Sequence, residues 1–206
     1  TGIVEDIELK NGSISVIESV SLLSPDTPAA SPSPLSYDNF TLKDINLQLS
    51  SAFRKNEYHA TVRHASFYSD QPQFELTNFK GEFEASDRGI SIRNVLLQSS
   101  RSYIEFDGSL RGVDMFKGFS LAELQDDSTR LQLKATNVDF SELKTFLPAV
   151  DFLEGSAYLD LRADGQFGDM DVRQLVVKVY QSTFNITGNV RNLHNPGHLL
   201  LTAYVG

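Results

Sequence analysis

The histidines are the side chains in this sequence best suited to metal chemistry. His194 and His198 have the i, i+4 spacing at which two imidazoles on one face of a helix can chelate a metal ion. A Pro-Gly pair lies between them, however, and this favours a solvated turn over a helix. His59 and His64 differ in parity, so on a regular strand they point to opposite faces. The histidine pattern therefore predicts no metal site.

Acidic residues are the next candidates for chemistry, because the chain has 27 of them. Asp164, Asp169 and Asp171 lie near two glycines but lack the spacing of a calcium loop, so they are interpreted as turn formers. The sequence has no Gly-x-Ser-x-Gly elbow for a serine hydrolase and no glycine-rich phosphate loop. Two carboxylates could meet in space as in a glycosidase, but no local signature marks such a pair. We therefore expect a non-enzymatic protein that needs no cofactor.

Composition limits the partners. The formal net charge is −9 and no run of basic residues occurs, which makes nucleic acid a poor partner and excludes a polybasic grip on anionic lipids. The absence of cysteine excludes disulfides, thiolate metal sites and cysteine nucleophiles. No signal peptide and no window of about 18 apolar residues is present. Both ends of the sequence resemble strands, so we expect a fragment of a longer protein.

Alternation of apolar and polar residues with a period of two dominates the chain and predicts an antiparallel β-meander. Residues 3–10 and 13–23 are predicted to form a hairpin around Asn11-Gly12. Residues 24–36 carry four prolines and are predicted to form a loop. The apolar phase of the following strand slips near Asp44. The predicted fold class is all-β, as an open curled sheet or, alternatively, a closed sandwich.

Helix signals are scarce. Residues 139–147 are the best case, because Asp139 can cap the first turn, Glu142 completes a capping box, and Pro148 ends the helix. Residues 119–125 are a weaker helical candidate. Both segments lie between strands, so we expect them to act as plugs or edge covers and not as crossover helices.

An internal repeat is the most informative pattern. Residues 90–113 align without a gap over residues 170–193 at an offset of 80. Four identities coincide, two of them the arginine pairs Arg93/Arg173 and Arg111/Arg191, together with nine apolar pairs. We interpret residues 1–206 as a single β-repeat segment, with residues 79–113 and 155–193 as repeat-like units. The arginines are interpreted as outward strand charges, with lipid-phosphate contact as the alternative.

The repeat resembles the AsmA-like superfamily and, within it, the TamB-type periplasmic proteins. The resemblance is clearest over residues 131–195, where Phe140-Ser141-Glu142-Leu143, Phe146-Leu147-Pro148 and Phe152-Leu153-Glu154-Gly155 precede a strand and a hairpin containing Gly188. It implies a curled, taco-like sheet with an apolar groove. It also implies a parent protein anchored in the inner membrane of a diderm bacterium, which bridges the periplasm to the outer membrane.

The side chains placed on the inner side of such a sheet follow from the alternation. They are Ile104, Phe106, Leu110, Leu131, Leu133, Leu159, Leu161, Leu175, Val177, Val179, Phe184, Ile186 and Val190. If left in water, each of these side chains would lose the free energy of burial, about 1.5–3 kcal/mol. A second sheet, a helix or a ligand must therefore cover them, and the acyl chains of phospholipids are an energetically sufficient cover.

Three functions are compatible with these observations. The first is a scaffold that conducts or shields phospholipid between the inner and outer membranes. The second is a chaperone-like module that aids assembly or secretion of outer-membrane β-barrel proteins, by adding a client strand to a sheet edge and working with an outer-membrane assembly protein of the BamA or TamA type. The third, expected if the resemblance is spurious, is a secreted β-sandwich with a carbohydrate-binding or adhesive role.

Overall fold

The fold is known from a computed structural model that describes residues 3–17, 39–70, 73–117, 121–146, 151–193 and 195–206. These residues form eleven strands, and each strand pairs antiparallel with the next in chain order to give one sheet. The strands are β1 (Ile3–Ile17), β2 (Asn39–Arg54), β3 (Glu57–Asp70), β4 (Gln73–Ser86), β5 (Gly89–Ser99), β6 (Tyr103–Arg111), β7 (Ser128–Asp139), β8 (Ser156–Gln166), β9 (Asp169–Val179), β10 (Ser182–Arg191) and β11 (Leu200–Val205).

The prediction of an all-β, mainly antiparallel fold is confirmed. Helix in the described residues is limited to α1 (Phe140–Phe146) and two short 3₁₀ turns, Leu121–Leu124 and Pro196–His198. Across the same residues, none of the helices has the length and apolar character needed to cross a membrane. The sheet is open, since β1 and β11 are its two edges, and its curling into a groove stays a prediction. The predicted loop at residues 24–36 lies outside the described residues.

The predicted hairpin at Asn11-Gly12 is wrong. β1 continues through this dipeptide without reversing direction and pairs with β2 on both sides of it. Asn11 adopts a φ of 51°, and its backbone N–H donates to Asn46 Oδ1 at 3.3 Å. The left-handed conformation that suits Asn in a tight turn suits it equally in a β-bulge, so the dipeptide kinks a strand here instead of reversing it.

The slip of phase predicted near Asp44 is confirmed as a second bulge. Asp44 has a φ of 53°, and the register of β2 with β3 shifts between Lys43 and Asn46. An extra residue on one strand returns the following side chains to the face they would otherwise leave. The apolar residues on both sides of the slip therefore share one face of the sheet.

The strands of the repeat have matching bounds. β5 begins at Gly89 and ends at Ser99, and β9 begins and ends 80 residues later, at Asp169 and Val179. β6 and β10 likewise end at Arg111 and Arg191. The offset that the sequence suggested is therefore also the offset of the secondary structure.

The two repeats also contain the same bulge. In β5, Arg93 and Asn94 together face one residue of β6, because Ile92 pairs with Gly108 and Val95 with Phe106. In β9, residues 173 and 174 together face one residue of β10, because Val172 pairs with Gly188 and Leu175 with Ile186. Such shared irregularities are a stronger sign of repeated architecture than four identities, since a bulge changes the course of the backbone.

Gly188 and Gly108 occupy the same repeat position but differ in what a side chain would meet. A Cβ at Gly188 would lie 2.0 Å from the carbonyl oxygen of Thr202 on β11, whereas a Cβ at Gly108 would meet the ring tip of Phe106 at 2.9 Å. We expect Gly188→Ala to detach β11, because a backbone atom must move, and Gly108→Ala to be absorbed by a small ring rotation. Hydrogen exchange should show loss of protection at the β11 amides in Gly188→Ala alone. Equal loss in both variants would contradict this account.

Candidate functional site

All thirteen side chains that the alternation placed on one side of the sheet lie on the same face, which we call the apolar face. Its central row crosses five strands, because Phe106 pairs with Leu133, Leu133 with Leu161, Leu161 with Leu175, and Leu175 with Ile186. Directly paired residues on antiparallel strands project to the same side. The predicted residues therefore form one continuous surface from β6 to β10.

The rows on each side of the central row complete this surface. Ile104, Leu159, Val177 and Phe184 belong to one neighbouring row, with Ala135 as its β7 member. The four remaining predicted residues lie further along the same strands, on the same face of the sheet: Leu110, Leu131, Val179 and Val190. Twelve of the thirteen are half-buried, and Phe184 is 44% exposed.

The face extends beyond the residues that sequence reasoning selected. On one side it continues through β5 and β4, where Val95 and Leu97 pair with Phe106 and Ile104, and Phe79 pairs with Leu97. On the other side it reaches β11, where Leu201 is 66% and Val205 64% exposed. The alternation was present in all these segments. In β4 and β5 the bulges hid it, because each one reverses the parity that a regular strand would keep.

Two structures cover the ends of the apolar face. At one end, α1 follows β7 and lies beside a small core. The core consists of Ala135, Val138, Phe140 and Ala157, all at most 6% exposed. At the other end lies the segment that follows β6, in which Val113 and, further along the chain, Leu124 are buried. In this segment Phe116 contacts Phe53 of β2 edge-to-face, with ring centroids 5.9 Å apart.

The centre of the face lacks such a cover. Apart from Ala135 and Ala163, the residues of the central row and of the two rows beside it, from β6 to β10, keep part of their surface accessible. The described part of the chain does not bury these apolar side chains by itself. A single sheet layer with an uncovered apolar face is stabilised when something else removes that face from water.

The end cover formed by α1 is held by a buried carboxylate. Glu142 is 7% exposed and accepts hydrogen bonds from Ser99 Oγ at 2.5 Å, Ser102 Oγ at 2.6 Å and Ser100 Oγ at 3.2 Å. These serines belong to the turn between β5 and β6. The predicted capping box is therefore wrong for Glu142, which reaches across to another turn instead of back to its own helix terminus.

Asp139 does cap α1, as predicted. Its carboxylate accepts hydrogen bonds from the Ser141 hydroxyl and from the Ser141 backbone N–H, the latter at 2.9 Å. The Ser141 hydroxyl bond is the main cause that holds the pKa of Asp139 below its usual value of 3.8, and Arg101 adds a smaller electrostatic contribution.

Removing this cap should have a small, pH-dependent effect. We expect Asp139→Ala to lower the free energy of unfolding by about 1 kcal/mol at neutral pH, as for other lost N-caps. A depressed folded-state pKa contributes stability above the unfolded pKa and loses it as the pH falls through the folded value. The difference between wild type and variant in urea unfolding should therefore shrink as the pH falls below about 3.8. A difference that stays constant down to the folded pKa would contradict a role for the ionised carboxylate.

The opposite side of the sheet, which we call the polar face, carries cross-strand ion pairs. Arg173 binds Asp164 through Nε at 2.8 Å and Nη2 at 3.3 Å, and the equivalent Arg93 binds Glu84 at 3.0 Å. Hydrogen bonding to Arg173 lowers the pKa of Asp164. These contacts confirm that the repeated arginines Arg93 and Arg173 are outward strand charges.

The histidines and acidic residues form no metal site in the part of the chain that the structure describes, where no group of three such ligands comes together. His59 and His64 do not point to opposite faces as predicted, because a bulge at Arg63 places both on the polar face. His64 Nδ1 lies 3.0 Å from Asn78 Oδ1, and His59 lies beside Glu57 and Glu84 at 3.8 and 3.9 Å. His194 lies outside the described residues.

Comparison with known proteins identifies no relative: no family model matches the chain, no curated protein matches it, and no solved structure matches its fold. The resemblance to the AsmA-like superfamily therefore stays a prediction that depends on the sequence pattern alone.

Proposed function

We propose that this chain is a non-enzymatic scaffold of the cell envelope whose apolar face binds the acyl chains of phospholipids. The observation that supports the proposal is the continuous central row from Phe106 to Ile186, which no residue interrupts with a charge. Contact of such a surface with water is unfavourable, and transfer of the surface into contact with hydrocarbon is favourable.

The dimensions of the row suit an acyl chain. Five strands at a spacing of about 4.8 Å make the row roughly 19 Å long. One leaflet of a bilayer, which an acyl chain spans, is roughly 15 Å of hydrocarbon. Each methylene buried on the face would contribute about 0.8 kcal/mol, so ten of them contribute on the order of 8 kcal/mol before the entropic cost of binding.

The covers at the two ends favour a bound chain over a second sheet. α1 and the segment after β6 occupy the ends of the face, so they would obstruct a second sheet that packed over its whole width. The resemblance extends the proposal to a location in the periplasm, with a parent protein anchored in the inner membrane that conducts or shields lipid between the two membranes.

Lipid retention tests the proposal directly. We expect mass spectrometry of an organic extract of the purified chain to find phospholipid at a fixed molar ratio. Ile186→Asp should reduce that ratio several-fold while its circular dichroism and urea midpoint stay near those of the wild type, because Ile186 lies on the open part of the face. A wild-type protein that retains no phospholipid and extracts none from vesicles would refute the proposal. Global unfolding of Ile186→Asp would instead show that the fold itself needs an apolar side chain at this position.

Strand addition is the second candidate function, and one observation favours it. The edge strand β11 carries no charge, and Leu200, Leu201 and Tyr204 are 58–70% exposed, whereas the opposite edge β1 carries Glu5, Asp6, Glu8 and Lys10 among its residues. Charged edges resist pairing with a further strand and uncharged edges accept one. Photo-crosslinkers at β11 should then capture an extended client segment in preference to crosslinkers at β1, and equal capture at both edges would contradict it.

A further inference from the structure

We propose a second binding site, on the polar face, at which an oxyanion of the phosphate class lies between Arg111 and Arg130. Arg111 of β6 pairs with Ser128 of β7, and Ser109 of β6 pairs with Arg130 of β7. These four side chains therefore project from the same side of the sheet, with the two arginines on a diagonal and a serine beside each.

Arg111 has no hydrogen-bond or ion-pair partner among the described residues, whereas its repeat equivalent has one. Arg191 pairs with Asp169 at 3.5 Å. Gly89 occupies the position equivalent to Asp169, and it pairs with Arg111 in the same register. Gly89 has a φ of 144°, and a Cβ there would lie 2.1 Å from the carbonyl oxygen of Leu110. No side chain, and hence no carboxylate, fits where the second repeat places its acid.

A second acid is missing as well. In the β8–β10 repeat, Asn189 donates hydrogen bonds to Asp169 and Asp171 at 2.5 and 3.3 Å. The positions equivalent to Asp171 and Asn189 are Ser91 and Ser109, which pair with each other on β5 and β6. The first repeat has therefore replaced an acid and an amide with two hydroxyls, which are small donors beside an unpartnered arginine.

Arg130 does not compensate for the missing acids, because it is a further cation on the same patch. Its neighbour Asp164 receives two hydrogen bonds from Arg173, and the charge of Arg130 makes only a smaller contribution to lowering the pKa of that carboxyl. The two arginines line a depression of about 270 Å³ together with Ser109, Ser128, Asp164 and Gln166. Two like charges on a cross-strand diagonal repel each other, and an anion bound between them removes that repulsion.

The chemistry of the depression suits a tetrahedral oxyanion. Each guanidinium presents two parallel N–H donors that match two phosphate oxygens, and the serine hydroxyls can donate to the others. The chain as a whole carries a net charge of −9, so attraction to an anion is a local property of this patch. The phosphate can belong to a free anion or to a lipid head group. The inference is independent of the proposed function, because it concerns the opposite face of the sheet.

The experiment is a titration of the full 206-residue chain with inorganic phosphate at constant ionic strength, followed by the NMR signals of the arginine Nε–Hε groups. We expect saturable shifts with a Kd on the order of 1 mM. Arg111→Gln and Arg130→Gln should each weaken binding about tenfold. Ser91→Asp should do the same, because it supplies the carboxylate that the second repeat has at this position.

Arg191→Gln is the matched control, since it removes the equivalent arginine from a position where an acid already pairs with it. It should leave the phosphate Kd within about twofold of the wild type. The absence of saturable shifts in the wild type, or an equal loss of affinity in Arg191→Gln and Arg111→Gln, would overturn the proposal.

Vesicles distinguish the two sources of phosphate. Phosphatidylcholine vesicles containing phosphatidic acid are compared with vesicles of equal charge containing phosphatidylserine. Co-sedimentation with the phosphatidic acid vesicles that Arg111→Gln abolishes assigns the site to a phosphomonoester head group. Binding of inorganic phosphate without co-sedimentation assigns it to a free anion.

Discussion

Replacing Glu142 with alanine should lower the free energy of unfolding by roughly 2–4 kcal/mol. The variant leaves the Ser99 and Ser102 hydroxyls, which belong to residues 4% and 8% exposed, without the carboxylate that accepts from both of them. Hydrogen bonds to a buried charged acceptor are among the stronger single contributions to stability, and their loss strands the donors that remain.

Replacing Glu142 should also weaken the attachment of α1 to the end of the apolar face. Glu142 joins α1 to the β5–β6 turn, so without it the link between α1 and this turn is reduced to the hydrogen bond that Arg101 Nη1 donates to Ser141 Oγ at 2.7 Å. We expect faster hydrogen exchange at Ala135 and Val138, which α1 helps to bury. Exchange at the segment after β6, at the other end of the sheet, should stay unchanged.

Urea unfolding monitored by circular dichroism measures the effect. Glu142→Gln keeps the shape and one acceptor oxygen, so its loss should be intermediate. Glu154→Ala is the matched control, because Glu154 is exposed and receives its hydrogen bond from Tyr180 through its backbone oxygen. A shift of the urea midpoint in Glu142→Ala no larger than that in Glu154→Ala would show that the serine cluster is not a structural anchor.

The fold class and the apolar face could be predicted because they depend on a pattern that sheets impose on sequence. Side chains alternate between the two faces of a sheet. The thirteen residues, chosen because they alternate with polar residues within each strand, therefore lie on one surface. The 80-residue offset could be predicted for the same reason, since it preserved the apolar phase from β5 to β10.

Side-chain parity across a bulge could not be predicted from the alternation. His64 was assigned to the wrong face because the extra residue at Arg63 reverses the phase after it. Asn11-Gly12 was assigned to a turn because a left-handed backbone is compatible with both a turn and a bulge, and pairing with β2 decides between them. Local residue types do not carry that information.

Contacts between distant parts of the chain were the other gap. Glu142 has the spacing of a capping box, but the serines of a turn 40 to 43 residues earlier are its partners. The unpartnered state of Arg111 likewise depends on Gly89, whose importance appears only when its repeat equivalent, Asp169, is seen to hold Arg191. Spacing along the chain predicts local hydrogen bonds, and only the sheet register brings these pairs together.

The second large effect concerns two adjacent valines on β9. Val177 lies on the apolar face between Leu159 and Phe184, whereas Val176 lies on the polar face between Asp160 and Asn185. Both are half-buried and both occupy the same strand, so the two positions have the same residue type, the same kind of backbone and similar exposure. They differ in the face to which they point.

If the apolar face binds acyl chains, Val177→Asp should weaken binding of a fluorescent phospholipid by about tenfold to a hundredfold, because a carboxylate without a partner would be buried under hydrocarbon. Val176→Asp should change that affinity by less than about twofold, since water covers its face. Titration of each variant with the phospholipid, together with its urea midpoint, separates binding from folding. Equal losses of affinity in the two variants, at matched stability, would show that lipid does not distinguish the faces and would remove the basis for the proposed function. The comparison is decisive because neighbouring residues of one strand can differ in lipid affinity in this way only if the lipid occupies one side of the sheet.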